Sequence, residues 1–253
     1  FALTNADDKN GAVMLQNTFA HKKSYGLRSV ADFKVKIVES HFDGMLLQVD
    51  NQEVWVKLVG GFNAYNLLAV YGAAILLEQE TLRVLQALSE ISGAEGRFEI
   101  MKSQNNVFGI VDYAHTPDAV LNVLDTIRTL RQPGQQIITV LGCGGDRDTS
   151  KRPEMAAVAV KRSDRVIITS DNPRTEDPLA IIKDMEAGVA AADRKNVLSI
   201  TDRKEAIRTA YQLAQPGDII LVAGKGHEKY QEVNGVRHHF DDKEILEQTF
   251  NEQ

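Results

Sequence analysis

Between residues 107 and 222 the chain alternates short apolar runs with helix-like segments, and no other feature restricts its fold so strongly. Val107 to Tyr113, Gln136 to Leu141, Arg165 to Thr169, Asn196 to Ile200 and Asp218 to Val222 read as strands. Pro117 to Leu130, Lys151 to Arg162, Pro178 to Ala190 and Arg203 to Leu213 read as the helices between them. Strands separated by helices pair in parallel, so this half of the chain predicts a Rossmann-like α/β domain with a mostly parallel sheet. Ligands of such sheets bind outside the carboxyl ends of the strands, which makes those ends the places to inspect.

Four of them are polar beyond what a turn requires. They carry Tyr113-Ala114-His115-Thr116-Pro117, Gly142-Cys143-Gly144-Gly145-Asp146-Arg147-Asp148, Asp171-Asn172-Pro173-Arg174 and Gly224-Lys225-Gly226-His227-Glu228. Any one of these loops has a bland reading, since Asn-Pro is a common turn and Asp a common helix cap. Their coincidence on one sheet edge is harder to explain that way. Arg147 and Arg174 suit carboxylates, while Asp171 and Glu228 supply the opposite sign for an ammonium group, so the chemistry points to a zwitterionic ligand. Gly142-x-Gly144-Gly145 is not a dinucleotide fingerprint, because the third glycine of that motif would fall where Arg147 stands.

The first 98 residues have another character. Phe1 to Asp8 reads as a core strand entering a polar turn, with no preceding Met, as in a piece of a longer protein. A short helix from Gly11 to Thr18 and a strand from Ser24 to Leu27 are followed by an antiparallel meander over 33–38, 45–49 and 53–59, with turns at Asp43-Gly44 and Asp50-Asn51. Asn63 to Gln79 and Glu80 to Ile91 read as helices, and the break at Ser92-Gly93-Ala94-Glu95-Gly96 suggests a domain boundary near residue 98.

Composition then excludes several classes. A net charge of -6 is a poor nucleic-acid footprint. No apolar run reaches the roughly 20 residues of a membrane-spanning helix. The single cysteine, Cys143, rules out an internal disulfide, which fits a reducing compartment; a cytoplasmic location is expected.

Gly60-Gly61-Phe62-Asn63-Ala64-Tyr65-Asn66-Leu67-Leu68-Ala69, Gly96-Arg97-Phe98-Glu99, Asp112-Tyr113-Ala114-His115-Thr116-Pro117, then GCGGDRD-TSKRP, DNPRTE and GKGHE, in this order, resemble the Mur ligase family over essentially the whole chain. The resemblance implies the C-terminal half of a central ATPase domain (residues 1–98) followed by the amino-acid-binding C-terminal domain (99–253). It further implies a part of an ATP- and Mg2+-dependent amide ligase that joins an amino acid to UDP-N-acetylmuramoyl-L-Ala-D-Glu through an acyl phosphate, in peptidoglycan precursor synthesis. On the family pattern Asn66, Arg97, Asp112 and His115 are nucleotide contacts. In members with DNPR at 171–174 the amino acid is meso-diaminopimelate rather than L-lysine. Arg174 then pairs with its distal carboxylate, Asp171 and Asn172 bind nearby polar groups, and Pro173 fixes the loop. Arg147 takes the other carboxylate, and Gly224 and Glu228 contact the distal centre.

The resemblance has a gap. No G-x-x-x-x-G-K-[ST] phosphate loop occurs in these residues, and no metal ligands are identified, so the 253 residues alone are expected to be inactive. Two other functions stay open: a related ligase adding lysine or glutamate, as folate-type synthetases do, and a nonenzymatic nucleotide- or amino-acid-binding module. His238-His239 reads as hairpin decoration, because neighbouring strand residues face opposite sides. His227 either orients Glu228 or makes a structural hydrogen bond, and His21 and His41 receive no role.

Overall fold

The protein is represented by a computed structural model that describes residues 1–252. It forms two compact units, Phe1–Gly93 and Ala94–Gln253.

In the first unit, β1 (Ala2–Asn5), a four-residue helix α1 (Gly11–Met14) and β2 (Lys22–Gly26) lead into β3 (Phe33–His41), β4 (Gly44–Val49) and β5 (Gln52–Val56). The five strands lie in sequence order in one sheet, and only β3, β4 and β5 form the expected antiparallel meander; β1, β2 and β3 pair in parallel. Alternation in β3 and β4 places Phe33, Val35, Met45, Leu47 and Val49 on the covered face. Asp50 and Asn51, both at positive φ (45° and 66°), form the two-residue turn into β5, the geometry that matches strand twist. Onto this sheet α2 (Gly61–Leu76) lays Ala64, Leu67, Leu68 and Tyr71, and α3 (Thr81–Glu90) adds Val84, Leu85 and Leu88. A polar clip closes the strand-to-helix side: the Asp7 carboxylate accepts the N–H groups of Leu27 (2.7 Å), Arg28 (3.0 Å) and Ser29 (2.7 Å) and the Tyr65 hydroxyl (2.7 Å).

The second unit contains β6 (Glu99–Lys102), β7 (Phe108–Asp112), α4 (Pro117–Leu130), β8 (Ile137–Cys143), α5 (Lys151–Arg162), β9 (Arg165–Ser170), α6 (Pro178–Glu186), β10 (Val197–Ser199), α7 (Arg203–Leu213), β11 (Ile219–Ala223), the hairpin β12 (Tyr230–Val233) and β13 (Val236–His239), and α8 (Asp242–Asn251). A 3-10 turn at Ala191–Asn196 precedes β10. The strand order is β10-β9-β8-β11-β7-β6, parallel throughout except for β6, an edge strand that pairs antiparallel with β7. Helix starts follow from local chemistry. Thr116 caps α4 ahead of Pro117, and Asp177 caps α6 ahead of Pro178, each side-chain oxygen accepting a first-turn N–H.

On one face, α7 and α8 pack over Val111, Ile138, Val140, Ile167, Ile220 and Val222. Alternate residues such as Ile137, Leu141 and Ile168 are fully buried and turn to the other face, where α4 packs on α5 and α5 on α6. The chain reaches β8, β9 and β10 in turn, then returns to insert β11 between β7 and β8. Helices α4, α5 and α6 cover one face and α7 and α8 the other, and the reversal of strand order at β11 opens a crevice at the carboxyl ends of β7, β11, β8 and β9.

Candidate functional site

That crevice is a cavity of about 330 Å³ lined by residues of four strand-end loops, together with Lys151 and Met155 of α5 and Tyr230 of β12. It brings together Arg147, Asp171, Asn172, Arg174, Gly224 and Glu228, with His115 at the β7 side. Pro173 stands between lining residues without lining the cavity; its carbonyl oxygen would clash with a Cβ at position 145, so glycine is what lets the two loops touch there.

The floor is charged and buried. Asp171 and Asn172 are 8% and 2% exposed, Lys225 is fully buried, and Arg203 beneath them is 1% exposed. Arg203 donates to both oxygens of the fully buried Asp242, at 2.7 Å each, and to the Ala223 carbonyl at 3.0 Å. Asn172 donates from Nδ2 to Glu228 Oε2 at 2.8 Å, and the Tyr113 hydroxyl approaches Glu228 Oε1 at 3.4 Å. Burial lowers the Lys225 pKa, against the pull of Asp171, and burial raises that of the Tyr113 hydroxyl. The Cys143 thiol also lines the cavity, but burial pushes its pKa up to about 12, so it stays an un-ionised, inert group at neutral pH.

The rim differs. Arg174 Nη1 donates to the Gly145 carbonyl at 2.7 Å, and Arg147 Nη1 reaches only the Asp146 carbonyl at 3.4 Å. Among the described residues neither forms an ion pair, whereas the interior Arg152 pairs with Glu176 (2.8 Å) and Asp184 (2.9 Å). Arg174 has φ 53°, a conformation non-glycine residues rarely adopt. The hairpin holds it there: the Arg174 N–H donates to Glu232 O at 3.0 Å, and the Asn234 N–H donates to Arg174 O at 2.6 Å. Gln231 Nε2 braces the same loop by donating to the Asp171 carbonyl at 2.7 Å.

Of the four residues expected at the nucleotide, three gather around Tyr113 in the second unit. Asn66 lies in the first unit on α2, its Nδ2 donating to Asn63 Oδ1 at 3.3 Å. Arg97 stacks its guanidinium on the Tyr113 ring, 4.8 Å from the centroid, and His115 packs edge-on to the same ring with Nδ1 2.8 Å from the Tyr113 carbonyl oxygen. Asp112 is buried, which raises its pKa, and its carboxylate accepts the Phe98 N–H at 2.7 Å, anchoring the Arg97 turn from beneath. Rings and a guanidinium of this kind suit a base and ribose. The triphosphate and its magnesium are another matter. The sequence has no glycine cradle ending in Lys-Ser or Lys-Thr, and no three His, Cys, Asp or Glu side chains converge as metal ligands among the described residues.

Lys225, Arg203, Tyr113 and Tyr230 carry much of this site without having been singled out from sequence. Only the Lys of GKGHE and the Tyr after Asp112 sat in loops already marked. His227 packs against the Tyr113 ring at 5.1 Å, and His239 pairs with Glu244 at 2.7 Å on the hairpin. No helix is long and apolar enough to cross a membrane among the described residues.

The family model for the Mur ligase glutamate ligase domain matches residues 96–226, and that for the Mur ligase middle domain matches residues 1–74. The chain is 59% identical over 251 residues to UDP-N-acetylmuramoyl-L-alanyl-D-glutamate--2,6-diaminopimelate ligase of Bacteroides thetaiotaomicron, covering 99% of this chain and 52% of that protein. It is 59% identical over 250 residues to the protein of the same name in Phocaeicola vulgatus, with the same coverage of both chains. A solved ligase of that name superposes with a TM-score of 0.67 at 38% identity, covering 99% of this chain and 53% of the other. The chain thus spans about half the length of the curated relatives it matches.

Proposed function

The chain belongs to the Mur ligase family, and on that premise we propose that it is the amino-acid-capturing half of an ATP-dependent ligase that joins meso-diaminopimelate to UDP-N-acetylmuramoyl-L-Ala-D-Glu in peptidoglycan precursor synthesis. The observation that carries this reading is the pair of rim guanidiniums without carboxylate partners, set above a floor that presents two carboxylates. Diaminopimelate carries two carboxylates and two ammonium groups, and this cavity offers the complement of each. Lysine has the same ammonium groups but one carboxylate fewer, and would leave one arginine unmatched.

Arg174 is assigned to the distal carboxylate, Arg147 to the proximal one, and Asp171, Asn172, Gly224 and Glu228 to the distal amino acid centre. Pro173 fixes the backbone between them. Arg97 and His115 are assigned to the base and ribose side of the nucleotide, with Asp112 acting through the Phe98 N–H. The chain's own residues bind and orient the incoming amine.

In a full-length ligase carrying this segment, Arg174→Ala should lower kcat/KM for meso-diaminopimelate about a hundredfold, about 2.7 kcal/mol, with a much smaller change for lysine. Arg147→Ala should damage both substrates. Equal losses for both amino acids in Arg174→Ala would show that the DNPR loop shapes the site without reading a carboxylate.

A further inference from the structure

Lys225 follows Gly224 at the end of β11 and has no part in the assignments above. Its side chain is fully buried, which is rare for lysine because an ammonium taken out of water is costly unless paired. Its partners are pocket residues. Nζ donates to Asn172 Oδ1 at 2.9 Å and lies 3.9 Å from Asp171 Oδ1 and 3.8 Å from Glu228 Oε2, with the Tyr230 ring 5.5 Å away. Arg203, the other buried cation nearby, makes its short bonds to Asp242 and to strand-end carbonyls and reaches Asp171 Oδ2 only at 4.0 Å, with no bond to Asn172 or Glu228.

The Asn172 amide is the link. Its Oδ1 also accepts the Glu232 N–H at 2.9 Å. A flipped amide would turn its NH2 toward an ammonium and a backbone N–H, so the two donors fix the orientation on chemical grounds. Nδ2 is thereby directed at Glu228 Oε2, 2.8 Å away. A residue needed only to fill this space would be Met or Leu; an ammonium is warranted where its charge and its donor act on Asn172, Asp171 and Glu228.

We propose that Lys225 is a positioning residue of the amino-acid pocket, orienting the Asn172 amide and holding the Asp171 and Glu228 carboxylates at the spacing that receives a ligand ammonium. This rests on the amino-acid reading of the site. The test is steady-state kinetics of Lys225→Met in the full-length ligase, with meso-diaminopimelate, ATP and the UDP-linked acceptor varied in turn. KM for diaminopimelate should rise at least tenfold, while kcat and the other two KM values stay within about twofold. Lys225→Gln, neutral and one atom too short to reach Asn172, should show the same selective rise and serves where the Met variant does not fold. An unchanged KM for diaminopimelate, or equal deterioration of every parameter, overturns the positioning role. Failure of the wild-type enzyme to use diaminopimelate at all overturns the substrate reading instead.

Discussion

Every buried polar or charged side chain among the described residues belongs to the second unit, while the first unit buries an apolar cluster around Tyr71 and keeps its charges outside that core. The sheet of the first unit therefore needs only period-two patterning, two helices and a surface clip. That of the second encloses Arg152, Arg203, Lys225, Asp171 and Asp242 at or under its strand ends, groups that hydrophobic residues of similar volume would replace with equal or greater stability. Charge placement at a ligand site accounts for Lys225 and Asp171 in that set, while Arg203 and Asp242 brace the strand ends beneath them.

Breaking a buried pair tests the contrast most severely. Asp242→Ala strands the Arg203 guanidinium and should cost the second unit about 3–5 kcal/mol in denaturant unfolding, whereas Arg203→Met with Asp242→Leu should recover most of that loss. A double variant as unstable as the single one would mean that the pair is a structural requirement. In the first unit, Asp7→Ala removes one acceptor from four donors at a partly exposed site, and should cost about 1–2 kcal/mol. The hydrogen bond with Ser29 chiefly holds the Asp7 carboxyl far below its ordinary range. Its contribution is thus fully present above the unfolded carboxylate pKa of about 4 and fades as pH falls below it. Acid titration of wild-type stability against the alanine variant should converge in that direction; divergence toward low pH would reverse the sign. The smallest effect belongs to Arg208, exposed between Glu205 (3.1 Å) and Glu252 (3.2 Å). Arg208→Ala should leave the denaturant unfolding midpoint at its wild-type position, and a clear drop would show that surface pairs in this unit are not ordinary ones.

What the sequence disclosed follows the same division. The helices Pro117–Leu130, Lys151–Arg162 and Arg203–Leu213 were legible to the residue, because apolar periodicity agrees with a capping Thr116 and Pro117 at the first, an early Pro153 at the second and a capping Asp202 at the third. Strand β6 was missed: four residues ending at Lys102 carry too little alternation, and an antiparallel edge breaks the βα rhythm. Helix α8 lies beyond that rhythm too. The parallel pairing of β1, β2 and β3 was not legible, because strands of four and five residues carry no record of their partners. At the site, the polar strand ends showed which loops meet, but not that Lys225 and Arg203 are enclosed. A lone cation in sequence reads as solvated, and nothing local records the Asp242 or Asn172 that encloses it from 39 or 53 positions away.

The insertion of β11 between β7 and β8 also governs when the molecule can become complete. Its neighbours pair Ile219 with Phe108 and with Ile137, so the centre of the sheet is the last parallel strand to leave the ribosome. At synthesis rates of about 5–20 residues per second, β7 and β8 wait several seconds with open edges on either side of a vacant lane. Long-range pairing of this kind folds slowly, and unpaired edges invite wrong partners in the interval. The arrangement that creates the crevice thus makes the nascent second unit dependent on its final third: until Gly224 and Lys225 arrive, there is neither a pocket floor nor a continuous sheet to hold it.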